Sequence, residues 1–213
     1  SRFYTDHVLF TSHKKITKEL KNLFSFLTER RKPFGHEEIK FDNLLVSQFN
    51  LQKQFLKLID TEISNAKNDK PAGIILKMNN LEDMVLIEKL YEAAEAGVKI
   101  DLLVRSICCL NPEVPSLKNI SAKRIVSRYL EHGRVFIFKN GGIPKVYLGS
   151  SDWMNRNIYH RIEVCCPVYN EKIKNEVMAI VDLQLNERRK ATAVNHLGDI
   201  WNEQTKIKTS DSQ

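Results

Sequence analysis

No run of apolar residues in this 213-residue chain approaches the roughly 20 needed to span a bilayer, although 42% of its residues are hydrophobic. A membrane-spanning helix is therefore not expected. The opening stretch, Ser1 to Phe10, lacks the basic, apolar and small-residue succession of a secretory signal. It is apolar from the outset, has no methionine, and reads as the interior of a longer protein. Cysteine is scarce and occurs as two adjacent pairs, Cys108-Cys109 and Cys165-Cys166, neither with the C-x-x-C spacing of a zinc or redox site. Neighbouring residues on a strand face opposite ways, which suits burial as small hydrophobes better than disulfide bonding. Reduced thiols imply a cytoplasmic location, at a membrane surface or away from it. Aromatics make up only 8%, and no groove-reading or single-strand-binding motif is present, so nucleic acid is not the expected partner. There is no internal repeat and no low-complexity tract.

Acidic residues run short in one segment. From Arg105 to Arg161 there are ten Lys and Arg, six of them Arg, against three acids (Glu113, Glu131, Asp152). The remainder carries 23 residues of each sign, so this segment holds the whole net charge of +7. Arginine's planar fork suits bidentate phosphate binding. A nucleotide or polyanion is the ligand class this implies, against the plainer reading of a solvated basic face.

The periodicity describes an α/β chain. A helix is expected over "TSHKKITKELKNLFSFLTERR", with Thr11 or Ser12 as its cap and Ile16, Leu20, Leu23, Phe24 and Leu27 as its apolar stripe. "NLLVS" reads as a short strand. "QKQFLKLIDTEISNAK" reads as a second amphipathic helix, burying Phe55, Leu58, Ile59 and Ile63. "IILKM", "EDMVLIEKLYEAAEAG" and "VKIDLLVR" form strand, helix and strand, with Gly97 as the helix stop, and predict a parallel βαβ unit. Strands follow at "ISAKRIV", "RVFIFK", "KVYLGS" and "RIEVCCPV", with "KNGGIPK" as a hairpin turn. A long C-terminal helix and a frayed tail, "TKIKTSDSQ", close the chain. The expected architecture is a mixed β-sheet flanked by helices on both faces.

Three constellations carry chemistry. In "LEHGR", an imidazole able to move a proton or attack phosphorus precedes Arg134 by two residues. On a strand Arg134 shares the face of His132, beside which it could clamp a phosphate, while Glu131 points the other way. In "YLGSSDWMNRN", the small-residue turn Gly149-Ser150-Ser151 leads to a possible short helix at Asp152-Trp153-Met154, and its backbone N–H groups suit phosphate oxygens. The plainer alternative is an Asp cap on a helix without function. Arg105 ends "IDLLVR", where ligands of open α/β sheets gather. Taken alone, each motif is also compatible with an ordinary structural residue.

The order His-x-Arg, strand, turn, strand and Gly-Ser-Ser is similar to the H-x-K…G-S-x-N layout of the phospholipase D superfamily. Arg134 replaces the lysine of that layout, and Lys139 stands where its aspartate would fall, which argues against a standard phosphodiesterase. "RFYTDHVLFT", "GVKIDLLVRSICCL", "SRYLEHGRVFIFKNGG" and "YLGSSDWMNRNIYHRIEV" resemble the C-terminal region of the bacterial polyphosphate kinase family over nearly the whole chain. The resemblance implies a phospholipase D-like catalytic domain at 41–213. Residues 1–40 would be a lead-in with a helix, from the end of the preceding catalytic domain. It implies ATP or ADP and polyphosphate as substrates, Mg2+ accompanying ATP, no metal site in this chain, and a homo-oligomer when full length. Partner domains (N-terminal, head and first catalytic) and the phosphorylated histidine would lie outside this chain. Of this chain's residues it implies Tyr4 at the nucleotide, Arg105 on phosphate and His132 facing the transferring phosphate. Arg134, Ser150 and Ser151 complete the phosphate-binding set. The fragment alone is expected to be inactive. None of His7, His13, His36, His160 or His196 has a matching context, and His7 and His13 read as surface or helix-start residues. A phospholipase D-like nuclease or hydrolase, or a non-enzymatic polyanion-binding module, is the alternative.

Overall fold

Alternation along the central strands builds the sheet and buries it on both sides. The computed structural model describes residues 4–29, 39–111, 114–125, 129–186, 191–194 and 200–201. In chain order the elements are β1 (Tyr4–Thr5), α1 (Lys14–Thr28), β2 (Leu45–Val46), α2 (Leu51–Lys67), β3 (Ile74–Met78), α3 (Met84–Glu95), β4 (Ile100–Val104), β5 (Ile120–Ile125), β6 (Leu130–Glu131), β7 (Arg134–Phe138), β8 (Lys145–Gly149), α4 (Asn155–Tyr159), β9 (Val164–Pro167), α5 (Glu171–Asn186), β10 (Ala191–Val194) and β11 (Ile200–Trp201). One sheet has the order β11-β10-β5-β4-β3-β7-β8-β9-β2, and β1 pairs separately with β6.

The expected βαβ unit is present. β3 and β4 are parallel from Ile74 opposite Ile100 to Met78 opposite Val104, and α3 joins them. Asp83 caps α3 by accepting from the Leu86 N–H at 2.9 Å, and Gly97, at φ +90°, follows its last cap residue. β5 continues the parallel run beside β4, whereas β7, β8, β9 and β2 extend the other side antiparallel. Ile74, Leu76, Met78, Ile100, Leu102, Val104, Phe136 and Phe138 face α2 and α3, whose Phe55, Ile59, Ile63, Leu86, Ile87 and Leu90 complete that core. Leu103, Val135, Ile137 and Val146 face the other way, onto Val177 and Val181 of α5. Helices on both faces are thus what the strand pattern requires.

The N-terminal helix departs from expectation in two ways. Its cap position is His13, without a side-chain bond, and Thr11 Oγ1 instead accepts from the His13 N–H at 3.2 Å. Of the expected stripe, Ile16 and Leu23 are buried, but Leu20, Phe24 and Leu27 are exposed, because Phe26 takes the inward place. What docks α1 is a carboxylate. Buried Glu19 accepts from the backbone N–H groups of Asp42, Asn43 and Leu44, the last at 2.8 Å, while Ile16 and Leu23 join Phe41, Leu44 and Val46. Residues 30–38, just before the division expected after residue 40, lie outside the described residues, as does the tail expected to fray. The four cysteines are free thiols. Cys165 is buried as expected, but Cys109 is exposed, since its pair lies in a loop rather than on a strand.

Beneath the future site, Lys77 of β3 points to the α5 side. It is nearly buried and bonds Glu131 Oε2 at 3.0 Å, an oxygen that also accepts from Gln184 of α5. Burial pushes the Glu131 carboxyl up, but the bond and charge of Lys77 outweigh it and hold the carboxyl below its usual range. Folding therefore weakens proton binding at Glu131. The pair contributes fully above the ordinary glutamate range, near 4.3, and loses its contribution as pH falls through the lower folded value. Glu131→Gln is expected to destabilise the chain by about 3 kcal/mol at pH 7, by leaving Lys77 buried beside a neutral partner, and by less at pH 3. Urea unfolding at the two pH values reads this, and an equal loss at both would refute it. Glu19→Ala is expected to cost roughly 2–3 kcal/mol, since three backbone donors lose their acceptor. The same unfolding curves check it, and an unchanged midpoint would remove the carboxylate from the docking of α1.

Candidate functional site

β7 runs antiparallel to β3, with Val135 opposite Lys77. Its first residue, Arg134, therefore lies level with Met78 at the end of β3, and the His132-Gly133 link before it lies beyond the C-terminal ends of β3 and β4, at Met78 and Val104. Those ends are where an open α/β sheet leaves backbone and side chains for a ligand. The small β1–β6 sheet completes the site. Tyr4 pairs with Leu130 and Thr5 with Glu131, and the Thr5 carbonyl accepts from the His132 N–H at 3.0 Å. That register delivers Asp6 to the ring, its Oδ2 3.2 Å from His132 Nδ1. The His132 side chain remains 36% exposed. Burial raises the Asp6 carboxyl, but the bonds from His132 and from the His7 N–H, with the charges of His132 and Arg134, bring it below its usual value.

Arg134 shares the side of His132, as the spacing predicts, but its guanidinium is committed within the protein. Nε and Nη2 meet Asp152 Oδ1 and Oδ2 at 3.1 and 3.2 Å, in a pair only 10% and 4% exposed. Nη1 donates to the His132 carbonyl at 2.8 Å and lies 3.0 and 2.9 Å from Nδ1 and Nε2. Such closeness to both nitrogens at once places Nη1 over the ring face. Asp152 also accepts from the Asn79 N–H at 2.8 Å and from Asn80 Nδ2 at 3.0 Å. The Asn79 amide, turned so that each end meets a complementary group, donates to the Glu131 carbonyl and accepts from Arg134 Nη2 at 2.9 Å. The phosphate clamp expected of Arg134 is thus filled by a carboxylate, because a buried guanidinium needs a counter-charge.

The Gly-Ser-Ser turn also differs from expectation. No helix begins at Asp152: α4 starts at Asn155, behind Met154. The Ser150 N–H donates to the Val164 carbonyl, and its hydroxyl donates to Glu163 while accepting from the Val164 N–H. Ser151 is fully buried, and its hydroxyl donates to the Asp152 carbonyl at 2.9 Å. Pairing of β8 with β9 consumes donors that the sequence left open. Any Cβ at Gly149 would overlap the Cys165 thiol, so the strands approach there through glycine.

Arg105 follows β4 and donates its N–H to the Met78 carbonyl. Its side chain lines a cavity of about 20 Å³ with Lys77, Asn79, Leu103, Glu131 and Gly133. That is room for a water molecule, not for a phosphate, so an anion on Arg105 would lie over the opening rather than inside it. Among the described residues the Arg105 guanidinium has no ion-pair or hydrogen-bond partner, in contrast to Arg134. The backbone of Tyr4 is in β1; its ring lies outside what is described. The basic segment does not converge on this site as a whole. Lys139 and Lys145 sit at the far end of the β7–β8 hairpin, where Phe138 pairs with Lys145.

Three participants went unread in the sequence: Asp6, Lys77 and His7. His7, expected at the surface, is half-buried against Gly133, where an added Cβ would come 2.8 Å from its Cδ2 and 3.6 Å from Lys77 Nζ. Burial, helped by the charge of Lys77, lowers its pKa against the opposing pull of Asp6 and Glu131. The glycine inside "HGR" was the sequence's one sign of a close approach there. Among the described residues, no three His, Cys, Asp or Glu side chains are grouped to hold a metal ion. No described helix is long and apolar enough to cross a membrane.

Comparison with known proteins bears on the family and the fold of the chain. A family model described as polyphosphate kinase C-terminal domain 2 matches residues 44–213. The chain is 44% identical over 192 residues to a polyphosphate kinase of Escherichia coli K12, and 42% identical over 195 residues to one of Vibrio parahaemolyticus. These alignments take in 90% and 91% of this chain but 27% of each relative, so the chain spans about a quarter of their length. The crystal structure of polyphosphate kinase from Porphyromonas gingivalis superposes with a TM-score of 0.84 at 39% identity, over 91% of this chain and 29% of that one. Nuc, a phospholipase D family member from Salmonella typhimurium, superposes with a TM-score of 0.51 at 14% identity, over 70% of this chain and 96% of its own, which is a likeness of fold. The α/β sheet expected from the strand pattern is therefore a phospholipase D-like one, and the chain belongs to the polyphosphate kinase family, as its C-terminal domain 2.

Proposed function

We propose that the longer protein containing this chain transfers the terminal phosphate of ATP reversibly to polyphosphate, through a phosphohistidine on a residue outside this chain. The observation that carries the reading is His132. Its ring is partly exposed beyond the ends of the parallel strands, anchored on Asp6 and adjacent to the opening that Arg105 lines, in a chain of this family. Phosphoryl transfer spreads negative charge over the equatorial and leaving oxygens, so catalysis is mostly positioning and charge stabilisation. His132 supplies a proton or hydrogen bond to the transferring group and takes it back in the reverse direction. Arg105 holds a phosphate, Tyr4 meets the nucleotide, and Arg134, its charge balanced by Asp152, backs the ring. Ser150 and Ser151 serve by bracing the loop that carries Asp152. Magnesium enters with ATP. Asp6, Glu131 and Asp152 are each engaged by a basic side chain, which leaves no carboxylate cluster here for the metal, and no step is routed through it. The reaction belongs in the cytoplasm, with the remaining domains and further copies of the protein as partners.

In the longer protein, His132→Ala is expected to cut transfer by about 100-fold or more without unfolding this domain. Polymer formation from ATP, with circular dichroism as the fold control, measures this; normal turnover would sink the reading. This chain alone, given ATP and magnesium, is expected to make no polymer, and sustained synthesis would show that the nucleophile is not elsewhere. Polyphosphate binding to the chain should weaken as salt rises, since the attraction is screened, and should weaken with Arg105→Ala. Affinity indifferent to both would remove Arg105 from the phosphate site.

A further inference from the structure

We propose that Asp6 is a positioning residue that holds His132 as the Nδ1–H tautomer, and that Asp152 supplies a second restraint by holding Arg134 over the imidazole. This rests on the reading of His132 as the phosphate-facing histidine and names what prepares it.

An ionised carboxylate only accepts hydrogen bonds. Asp6 Oδ2, 3.2 Å from Nδ1, therefore requires that Nδ1 carry the proton. Nε2 is then the nitrogen that meets the substrate, and it alternates between acid and base while Nδ1 stays on Asp6. The His132–Asp6 pair is half exposed, at 36% and 51% of its side chains, and so adds little to stability. Its consequence is orientation. The ring is held a second way, since Nη1 of Arg134 lies over it while bonding the carbonyl of the same residue. A ring flip would swap Nδ1 for a carbon at Asp6 and must occur beneath that guanidinium.

The arginine raises an electrostatic difficulty that Asp152 answers. A bare guanidinium against the ring would oppose an imidazolium. Both Asp152 oxygens meet that guanidinium, so the Arg134–Asp152 unit presents no net charge to the ring. The other charged groups around the ring come from each neighbouring segment. Lys77 of β3 and Glu131 of β6 neutralise each other, His7 packs on Gly133, and Arg105 lines the adjoining opening. Among the described residues Asp6 is then the carboxylate addressed to the ring itself.

The test begins with the tautomer, read by long-range ¹⁵N–¹H correlation on this chain with labelled histidine, at a pH where His132 is neutral. The three clusters of buried apolar side chains come from the chain's own residues. The unsubstituted chain should show the proton on Nδ1, Asp6→Asn should move it towards Nε2, and Asp6→Glu should restore it. In the longer enzyme Asp6→Asn should lower kcat about tenfold or more, with KM within about twofold, as expected for misplacing an acid–base group. Arg134→Gln and Asp152→Asn should not add in the double variant, because each breaks the same unit. A tautomer unmoved by Asp6→Asn, or a loss confined to KM, overturns the role of Asp6, and additive losses overturn that of Asp152. Asp152 sits in several buried hydrogen bonds, so the half-exposed Asp6 is the deciding position if Asp152→Asn fails to fold. The tautomer does not depend on turnover: an active His132→Ala enzyme would remove the functional reading while leaving the tautomer result standing.

Discussion

The Arg134–Asp152 ion pair holds the functional end of the sheet together. Two nearly buried charges meet through two hydrogen bonds, and the carboxylate reaches further to the backbone of Asn79 and the side chain of Asn80. One side chain thereby joins the loop after β3, the start of β7 and the loop after β8. Losing one partner of such a pair leaves a buried charge uncompensated, at a cost of roughly 3–5 kcal/mol. The arrangement also decides what Arg134 can do. With its fork on Asp152, the remaining Nη1 lies on His132 and makes the arginine part of the support of the ring.

A second constraint is the β1–β6 pairing. Two residues on each side suffice to fix the chain's opening segment against the strand that leads to His132. Because Thr5 accepts from the His132 N–H, its neighbour Asp6 arrives at the His132 ring and His7 arrives against Gly133. Gly133 permits this, since a side chain there would occupy the place of His7. The site is therefore assembled from residues about 125 positions apart, and neither segment makes it alone.

Much of the architecture was legible because the two periodicities are strong. Ile74, Leu76 and Met78 alternate with Ile75 and Lys77, and the core of α2 repeats at helical spacing, so strands, helices and the parallel βαβ unit follow from local sequence. His132 and Arg134 were legible as a pair sharing one side for the same reason. α1 was less so: its sequence offers more apolar residues than the fold buries, and Glu19 rather than the full stripe determines how it docks.

By itself the sequence determined the order of the main helices and of the central strands β3, β4, β5, β7, β8 and β9, the concentration of basic charge between Arg105 and Arg161, and the placing of His132 just before a buried strand, but not the short strands β1, β6, β10 and β11. The tertiary structure decided how those charges are used. Arg134 is neutralised by Asp152, Lys77 by Glu131, and Lys139 and Lys145 are carried to the far end of a hairpin, while Arg105, its guanidinium unpartnered among the described residues, lines the opening beside Glu131 and Gly133. It also decided that Asp6, not a neighbour in sequence, orients the ring. The reason is physical: periodicity reports which side of an element a residue occupies, whereas a hydrogen bond needs two groups within about 3 Å, and only the folded chain brings Asp6 and His132 that close.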